Sequence, residues 1–395
     1  MKRRQFLRAG CAHCALLAAA AHGQAGTGRF GDEAATAPPE WSPPPRFAAP
    51  DPASDEGGLW ALMGREEQRL RRSPFLMRDE ALRDYVTGIL CRLGGAHCAD
   101  VRVYVIRNAF FNANMAPNGM MQVWSGLLLR MDNEAQLAAV IGHELGHFLQ
   151  RHSLERLRDA RQKSAAGLFL VPFGLVGLAG QLALVASRFA YSRDQEREAD
   201  AIGVRLMSTG GYDTSQAAVI WSNLLAEVEA RPQADPTKSS VLFAAHPPSE
   251  ERRETLGLLG KAAGDRGESA YAAQLASRRL EFLEDELKRG QFEETFALLD
   301  RKLGSDPACA DYRYARGEAR RLRAQDRDME LAYDDLRAAT AAPDVPAPAF
   351  RSLGFVLRHR QDKAGAASAF ARYLELAPGA PDAAMVETYL GELQT

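Results

Sequence analysis

The chain has almost no excess of charge. Its 49 Lys and Arg stand against 51 Asp and Glu, a formal −2 over 395 residues. That removes the electrostatic footprint of a polyanion-binding protein, so no nucleic acid is expected as a partner. Cysteine is scarce too, with five in all, which excludes a fold held mainly by disulfides. A 46% hydrophobic content is enough for large cores instead. Length and composition agree with two folded domains behind a leader. Histidine numbers only eight, yet three of them fall between positions 143 and 152.

Two of those form His143-Glu144-Leu145-Gly146-His147, an H-E-x-x-H pattern. On an α-helix, residues i and i+4 lie on one face about a turn apart. Two imidazoles so placed reach one small cation at roughly 2.0–2.1 Å. Glu144 then projects beside the metal, where a carboxylate takes a proton from the attacking water. The motif recurs by chance in unrelated chains, so its surroundings matter. Residues 133–149 place Leu137, Val140, Ile141, Leu145 and Phe148 at helical spacing, with Asn133 as cap. Gly142 and Gly146 cost helix propensity. Close packing, or room for metal and substrate, explains them.

A catalytic zinc keeps three protein ligands and one open position. A third histidine six residues after His147 is lacking: position 153 is Ser, and His152 falls one short. A carboxylate must serve, and Tyr191-Ser-Arg-Asp-Gln-Glu-Arg-Glu-Ala-Asp200 offers candidates. Glu196 and Asp200 are again i and i+4. One of them can ligate while the other holds a ligand histidine by its second ring nitrogen. Glu198 is the rival ligand, on a different helix face. A solvated charged helix paired by Arg193 and Arg197 is the bland alternative.

His143-Glu-Leu-Gly-His147 followed by Ser192-Arg-Asp-Gln-Glu-Arg-Glu-Ala-Asp200 resembles the zinc metallopeptidase family of the CAAX prenyl protease and HtpX type, including periplasmic BepA-like proteases with a C-terminal TPR domain. Ala245-His-Pro-Pro-Ser-Glu-Glu-Arg252 looks like the H-P-x-x-x-x-R segment of that family. The likeness covers about half the chain. It implies an α+β fold: a mainly helical gluzincin-type protease domain with a small sheet, then an all-α TPR-like domain. It implies one Zn2+ per chain held by His143, His147 and Glu196, with Glu144 as general base and Asp200 as outer partner. His246 is expected at the metal, as oxyanion stabiliser or inhibitory fourth ligand. The implied function is a zinc endopeptidase of the bacterial cell envelope acting on misfolded or stalled proteins. A chaperone or adaptor with a latched or idle metal site is the second reading.

The N-terminus fits that location. Arg3-Arg4-Gln-Phe-Leu7, an apolar stretch at 15–21 and small residues at 23–25 resemble a twin-arginine export signal over residues 1–25. A plain Sec signal is the alternative. Removal of this segment takes Cys11 and Cys14 with it. In an oxidising compartment Cys91 and Cys98 are close enough to pair across Gly94-Gly95, and Cys309 is left as a small buried hydrophobe. Residues 26–54, with seven prolines between Ala37 and Pro52, read as an extended linker.

The protease domain is expected over 55–265. Helical patterning covers Leu59–Leu76 and Asp79–Leu93. Val101–Ile106 reads as a strand, and Met120–Trp124 as a returning one after a turn-rich stretch. The region from Met115 to Trp124 is expected to hold substrate as an added strand, with core packing as the alternative for Met120, Met121 and Trp124. Residues 165–186 are apolar and glycine-rich, interrupted only by Gln181. A hairpin beside the cleft, or a peripheral membrane contact, fits better than a crossing, which would separate two ligand helices. Residues 266–395 are expected to be TPR-like. Phe350, Leu353, Gly354, Leu357, Ala366, Phe370 and Pro378 make the clearest repeat. Gly317, Ala332, Leu336 and Pro343 mark an earlier one, and Gly290, Phe292 and Pro307 suggest a third. Such a surface would dock substrates or outer-membrane assembly machinery.

Overall fold

Ser54 starts the first helix: its Oγ accepts the Gly57 N–H at 3.0 Å, and α1 runs Asp55–Arg71. Asp79 does the same for α2 (Glu80–Gly94). These elements come from a computed structural model that describes residues 41–162, 191–231, 246 and 250–394. The export signal, the start of the linker, the 165–186 run and Pro247–Ser249 lie outside the described residues. Among the described residues no helix is long and apolar enough to cross a membrane.

Cys91 near the end of α2 is bonded to Cys98 in the following 3-10 turn. That turn feeds β1 (Arg102–Ile106). The turn-rich stretch after it is not plain loop. It contains β2 (Ala113–Met115), antiparallel to β3 (Met120–Trp124), which itself lies parallel to β1. The sheet order is β1-β3-β2. The expected return of 120–124 therefore holds against the 113–115 strand rather than against β1. Gly119, at φ 81°, makes the tight turn, and a Cβ there would sit 2.0 Å from the Asp100 carbonyl oxygen. Met120, Met121 and Trp124 are all in the core.

A short α3 (Ser125–Arg130) leads to α4 (Glu134–Leu149), capped by Asn133, whose side chain accepts the Gln136 N–H at 2.9 Å. Every residue of α4 after Glu134 is buried. A helix hydrophobic on all sides is an interior helix, so the stripe read from the sequence is only part of an enclosed surface. It packs most closely on α6 (Arg193–Thr209), which begins in a capping box between Ser192 and Gln195. α5 (His152–Gln162) precedes α6, and α7 (Gln216–Glu229) and α8 (Glu250–Leu259) follow it.

From Glu268 the chain is helical: α9 (Glu268–Ala276), α10 (Arg279–Lys288), α11 (Phe292–Ser305), α12 (Ala310–Arg323), α13 (Asp328–Thr340), α14 (Ala347–His359), α15 (Lys363–Leu376) and α16 (Ala383–Gln394). α12 pairs with α13, and α14 with α15. Small residues set the approach in both pairs. A Cβ on Gly317 would lie 2.7 Å from Leu336 Cγ, and one on Gly354 2.5 Å from the Phe370 ring. Tyr314, Leu336, Leu353, Val356 and Phe370 share one core across these pairs.

Charged residues dock these helices on the sheet-bearing half. Arg130 is 3% exposed, with Nε 2.7 Å from Glu227 Oε2 and Nη2 3.0 Å from Glu286 Oε1. Lys302 donates to the Met131 carbonyl at 2.6 Å, and Arg301 to Asp132 at 2.6 Å. Both contacts fall just ahead of the Asn133 cap, so the C-terminal helices hold the entry to α4. Pro43–Thr395 is one unit.

Candidate metal centre

Glycine brings two helices together here. A Cβ on Gly142 would lie 3.1 Å from Gly203 O, one on Gly146 2.9 Å from Ala199 O, and one on Gly203 2.9 Å from His143 N. The small residues beside the histidines thus serve close packing of α4 on α6. At this contact α4 presents His143 and His147, and α6 presents Glu196 and Asp200.

Four ligand atoms meet. One from each of His143, His147, Glu196 and His246 lie within 4.8 Å of one another, all on buried residues. His147 Nε2 is 3.1 Å from His143 Nε2 and 3.4 Å from Glu196 Oε1. His246 Nδ1 is 3.1 Å from His143 Nε2 and 2.8 Å from Glu196 Oε1. Ligands of a tetrahedral zinc, each about 2.0–2.1 Å from the ion, are roughly 3.3 Å apart. The spacing and the nitrogen-rich donor set fit zinc.

The surroundings assign hydrogen positions. Asp200 Oδ1 lies 2.9 Å from His143 Nδ1. A carboxylate accepts only, so that nitrogen carries the proton and Nε2 is left as a lone pair facing the cluster. Arg252 reaches Glu196 Oε2 at 2.7 Å and Asp200 Oδ2 at 2.6 Å, and its guanidinium lies 4.0 Å from the Trp221 ring centroid. Burial pushes the Glu196 carboxyl toward higher pKa, but the His246 and Arg252 charges outweigh it and hold the value well below usual. Burial dominates at His147 and keeps its pKa well below the ordinary value, which favours the neutral, ligating imidazole.

Glu144 is 2% exposed. Its Oε2 accepts the Met115 N–H at 3.2 Å, and Oε1 has no hydrogen-bond partner among the described residues. His246 Nε2 stands 3.5 Å from that Oε1. Burial raises the Glu144 pKa, as suits a carboxylate that must accept a proton. Met115 belongs to β2, one of the two edge strands of the sheet.

The structure brings together His143, Glu144, His147, Glu196, Asp200 and His246. Glu198 is not among them. Its side chain is 46% exposed and sits with His152 and Gln150. Arg197 pairs with Asp194 and Glu251, and Arg193 is exposed. The cation on Glu196 and Asp200 is Arg252, which the sequence marked only as the end of a motif. Two further neighbours carried no signal for this role. Tyr191 stacks on His147 with centroids 3.7 Å apart, and His152 Nδ1 lies 2.8 Å from His147 Nδ1.

Residues 77–257 match the model described as Peptidase family M48. The mitochondrial metalloendopeptidase OMA1 of Schizosaccharomyces pombe is 33% identical over 42% of this chain and 50% of its own length. The beta-barrel assembly-enhancing protease of Escherichia coli is 28% identical over 51% of this chain and 45% of its own. The metalloprotease YcaL of Escherichia coli is 32% identical over 36% of this chain and 56% of its own. The chain thus spans about half the length of these curated relatives. The matched residues contain the whole buried cluster, so over 77–257 the chain is similar to the zinc metallopeptidases of family M48 at the residues that could hold the metal.

Proposed function

We propose that this chain is a zinc-dependent endopeptidase of the bacterial cell envelope, acting on misfolded or stalled proteins. The observation that carries the catalytic part is the buried set His143, His147 and Glu196 with Glu144 Oε1 beside it. Bound zinc supplies a Lewis acid that polarises the scissile carbonyl and acidifies water. Glu144, fixed through Oε2 by Met115, takes the water proton on Oε1 and hands it to the leaving amine. The Met115 N–H points to the outer edge of β2, where an extended substrate segment adds as a strand next to that carboxylate. Asp200 and Arg252 keep His143 and Glu196 oriented.

His246 favours a regulated form of this activity. Its Nδ1 stands within the ligand cluster, so it serves as a fourth ligand that closes the site until displaced. The chaperone or adaptor reading draws on the same contact, with the site closed throughout. The helix pairs from Arg279 onward are read as TPR-like repeats that dock substrates or partners. The printed name of one Escherichia coli relative refers to β-barrel assembly. Outer-membrane assembly machinery is accordingly the partner to test first.

Casein hydrolysis with and without chelator, in the wild type, Glu144→Gln and His246→Ala, decides between these readings. The peptidase reading expects chelator-sensitive turnover, zinc kept but turnover lost in Glu144→Gln, and faster turnover in His246→Ala. Loss of zinc in Glu144→Gln would remove it as the base. No turnover in the wild type or His246→Ala, with zinc bound, would favour the chaperone reading.

A further inference from the structure

His143 has a carboxylate behind it; among the described residues, the Nδ1 side of His147 has none. Its Nδ1 faces His152 Nδ1 at 2.8 Å, and His152 Nε2 faces Glu198 Oε2 at 3.3 Å. His152 is 1% exposed, while Glu198 is open to solvent and also accepts from the Gln150 amide. We propose that His152 is a positioning residue: it accepts the Nδ1–H of His147 on its own Nδ1 and anchors its Nε2–H on Glu198. This rests on the reading of His147 as a metal ligand.

Counting hydrogens selects this arrangement. Two imidazole nitrogens at 2.8 Å need one proton between them. A proton on His152 Nδ1 would leave His147 Nδ1 as the acceptor, so the proton of neutral His147 would sit on Nε2, the nitrogen that faces the cluster. It would also leave a neutral His152 with a bare Nε2 against a carboxylate, two acceptors without a hydrogen. The reverse assignment gives every contact one proton and leaves His147 Nε2 bare. The ring plane is fixed as well. Tyr191 stacks on His147 at an interplanar angle of 21°, and the Arg156 guanidinium lies 4.0 Å from the Tyr191 centroid.

The choice of an imidazole has an electrostatic reason. Glu144, Glu196 and Asp200 already bring three buried carboxyl groups to this site. A further carboxylate against His147 would add an anion with little solvent to stabilise it. Neutral His152 provides the acceptor without charge and passes the orienting load to Glu198 at the surface. His152, one position short of a third-histidine pattern, and Glu198, the rival carboxylate, thus have one shared role.

The test uses the full chain as Glu144→Gln, zinc-loaded, with 15N-labelled histidines. Long-range 1H–15N spectra are expected to show His147 protonated at Nδ1 and metal-shifted at Nε2, and His152 protonated at Nε2 with a bare Nδ1. A proton on His152 Nδ1 overturns the proposal without any substitution at that site. Chelator competition supplies the second readout. His152→Asn places an acceptor oxygen near Nδ1 and should keep zinc affinity within a few-fold. His152→Phe keeps a ring without an acceptor and should weaken it about 10- to 100-fold. Unchanged affinity in His152→Phe, or equal loss in both variants, overturns the acceptor role. Full zinc stoichiometry in His147→Ala would instead remove the ligand reading itself.

Discussion

Asp200 Oδ1 lies 2.9 Å from His143 Nδ1, and Arg252 donates to both oxygens of the same carboxylate, to Oδ2 at 2.6 Å and to Oδ1 at 2.8 Å. The contact fixes both the ring's orientation and its tautomer. Asp200→Asn keeps the shape but loses the charge that makes Nδ1–H the preferred form. Zinc affinity is expected to fall about 10- to 100-fold, with the metal-free far-UV circular dichroism unchanged. Chelator competition measures it, and an affinity equal to wild type would mean that the charge contributes nothing to ligand orientation.

Arg252 is the cation common to two buried carboxylates. Arg252→Leu leaves Glu196 and Asp200 facing each other without it, and breaking such a buried pair costs about 3–5 kcal/mol. Zinc brings a replacement charge to Glu196. Thermal unfolding should therefore show a lower midpoint in the metal-free variant and a larger zinc-dependent rise than in the wild type. An equal rise in both proteins would separate Arg252 from the metal site.

Much of the candidate site was legible because four of its residues lie on two helices, at i and i+4 in each. Periodicity and the chemistry of zinc pointed to His143 and His147 as ligands and to the carboxylates Glu196 and Asp200 near them, and the family likeness preferred Glu196 over Glu198 as the third ligand. What was hidden depends on helix packing. Nothing in the spacing says that Arg252, rather than Arg193 or Arg197, reaches Glu196, because that depends on how α8 crosses α6. The parallel β1–β3 pairing was hidden for a related reason. A three-residue strand, Ala113–Met115, is too short for alternation to reveal. The C-terminal helix pairs were visible through small residues such as Gly354, which the structure places against Phe370. Their docking on Arg130 was not visible, since a lone arginine in sequence reads as surface.

That docking has an energetic consequence. Arg130 lies between Glu227 and Glu286, and all three are buried. Arg130→Leu takes the shared cation from Glu227 and Glu286, which keep Arg301 and Arg289, and should cost up to about 3–5 kcal/mol in urea unfolding. The double variant Arg130→Leu/Glu286→Leu removes one of the under-compensated charges and should recover part of the loss. No recovery would show that Glu286 draws its stability from Arg289 instead.

A second buried carboxylate gives a pH dependence with a definite sign. Glu67 Oε1 accepts from Arg102 Nε and Tyr104 Oη, both at 2.7 Å, and Oε2 accepts from Asn118 Nδ2 at 3.0 Å. These contacts hold α1 against the ends of β1 and β3. The Arg102 hydrogen bond, against the opposing effect of burial, brings its pKa from the usual 4.5 down to about 2. The folded value is below the unfolded one, so between them the unfolded chain binds more protons. The stabilisation is complete above pH 4.5, falls as the pH drops through that window, and is gone below about 2. Glu67→Gln has no such proton to bind. The wild-type stability minus that of Glu67→Gln, from urea unfolding at a series of pH values, should be level above 4.5 and decline toward 2. Taking the difference cancels the histidines and carboxylates of the metal centre, which also titrate in acid. A difference that stays level through the window would mean that Glu67 ionises in the folded protein as it does in the unfolded chain.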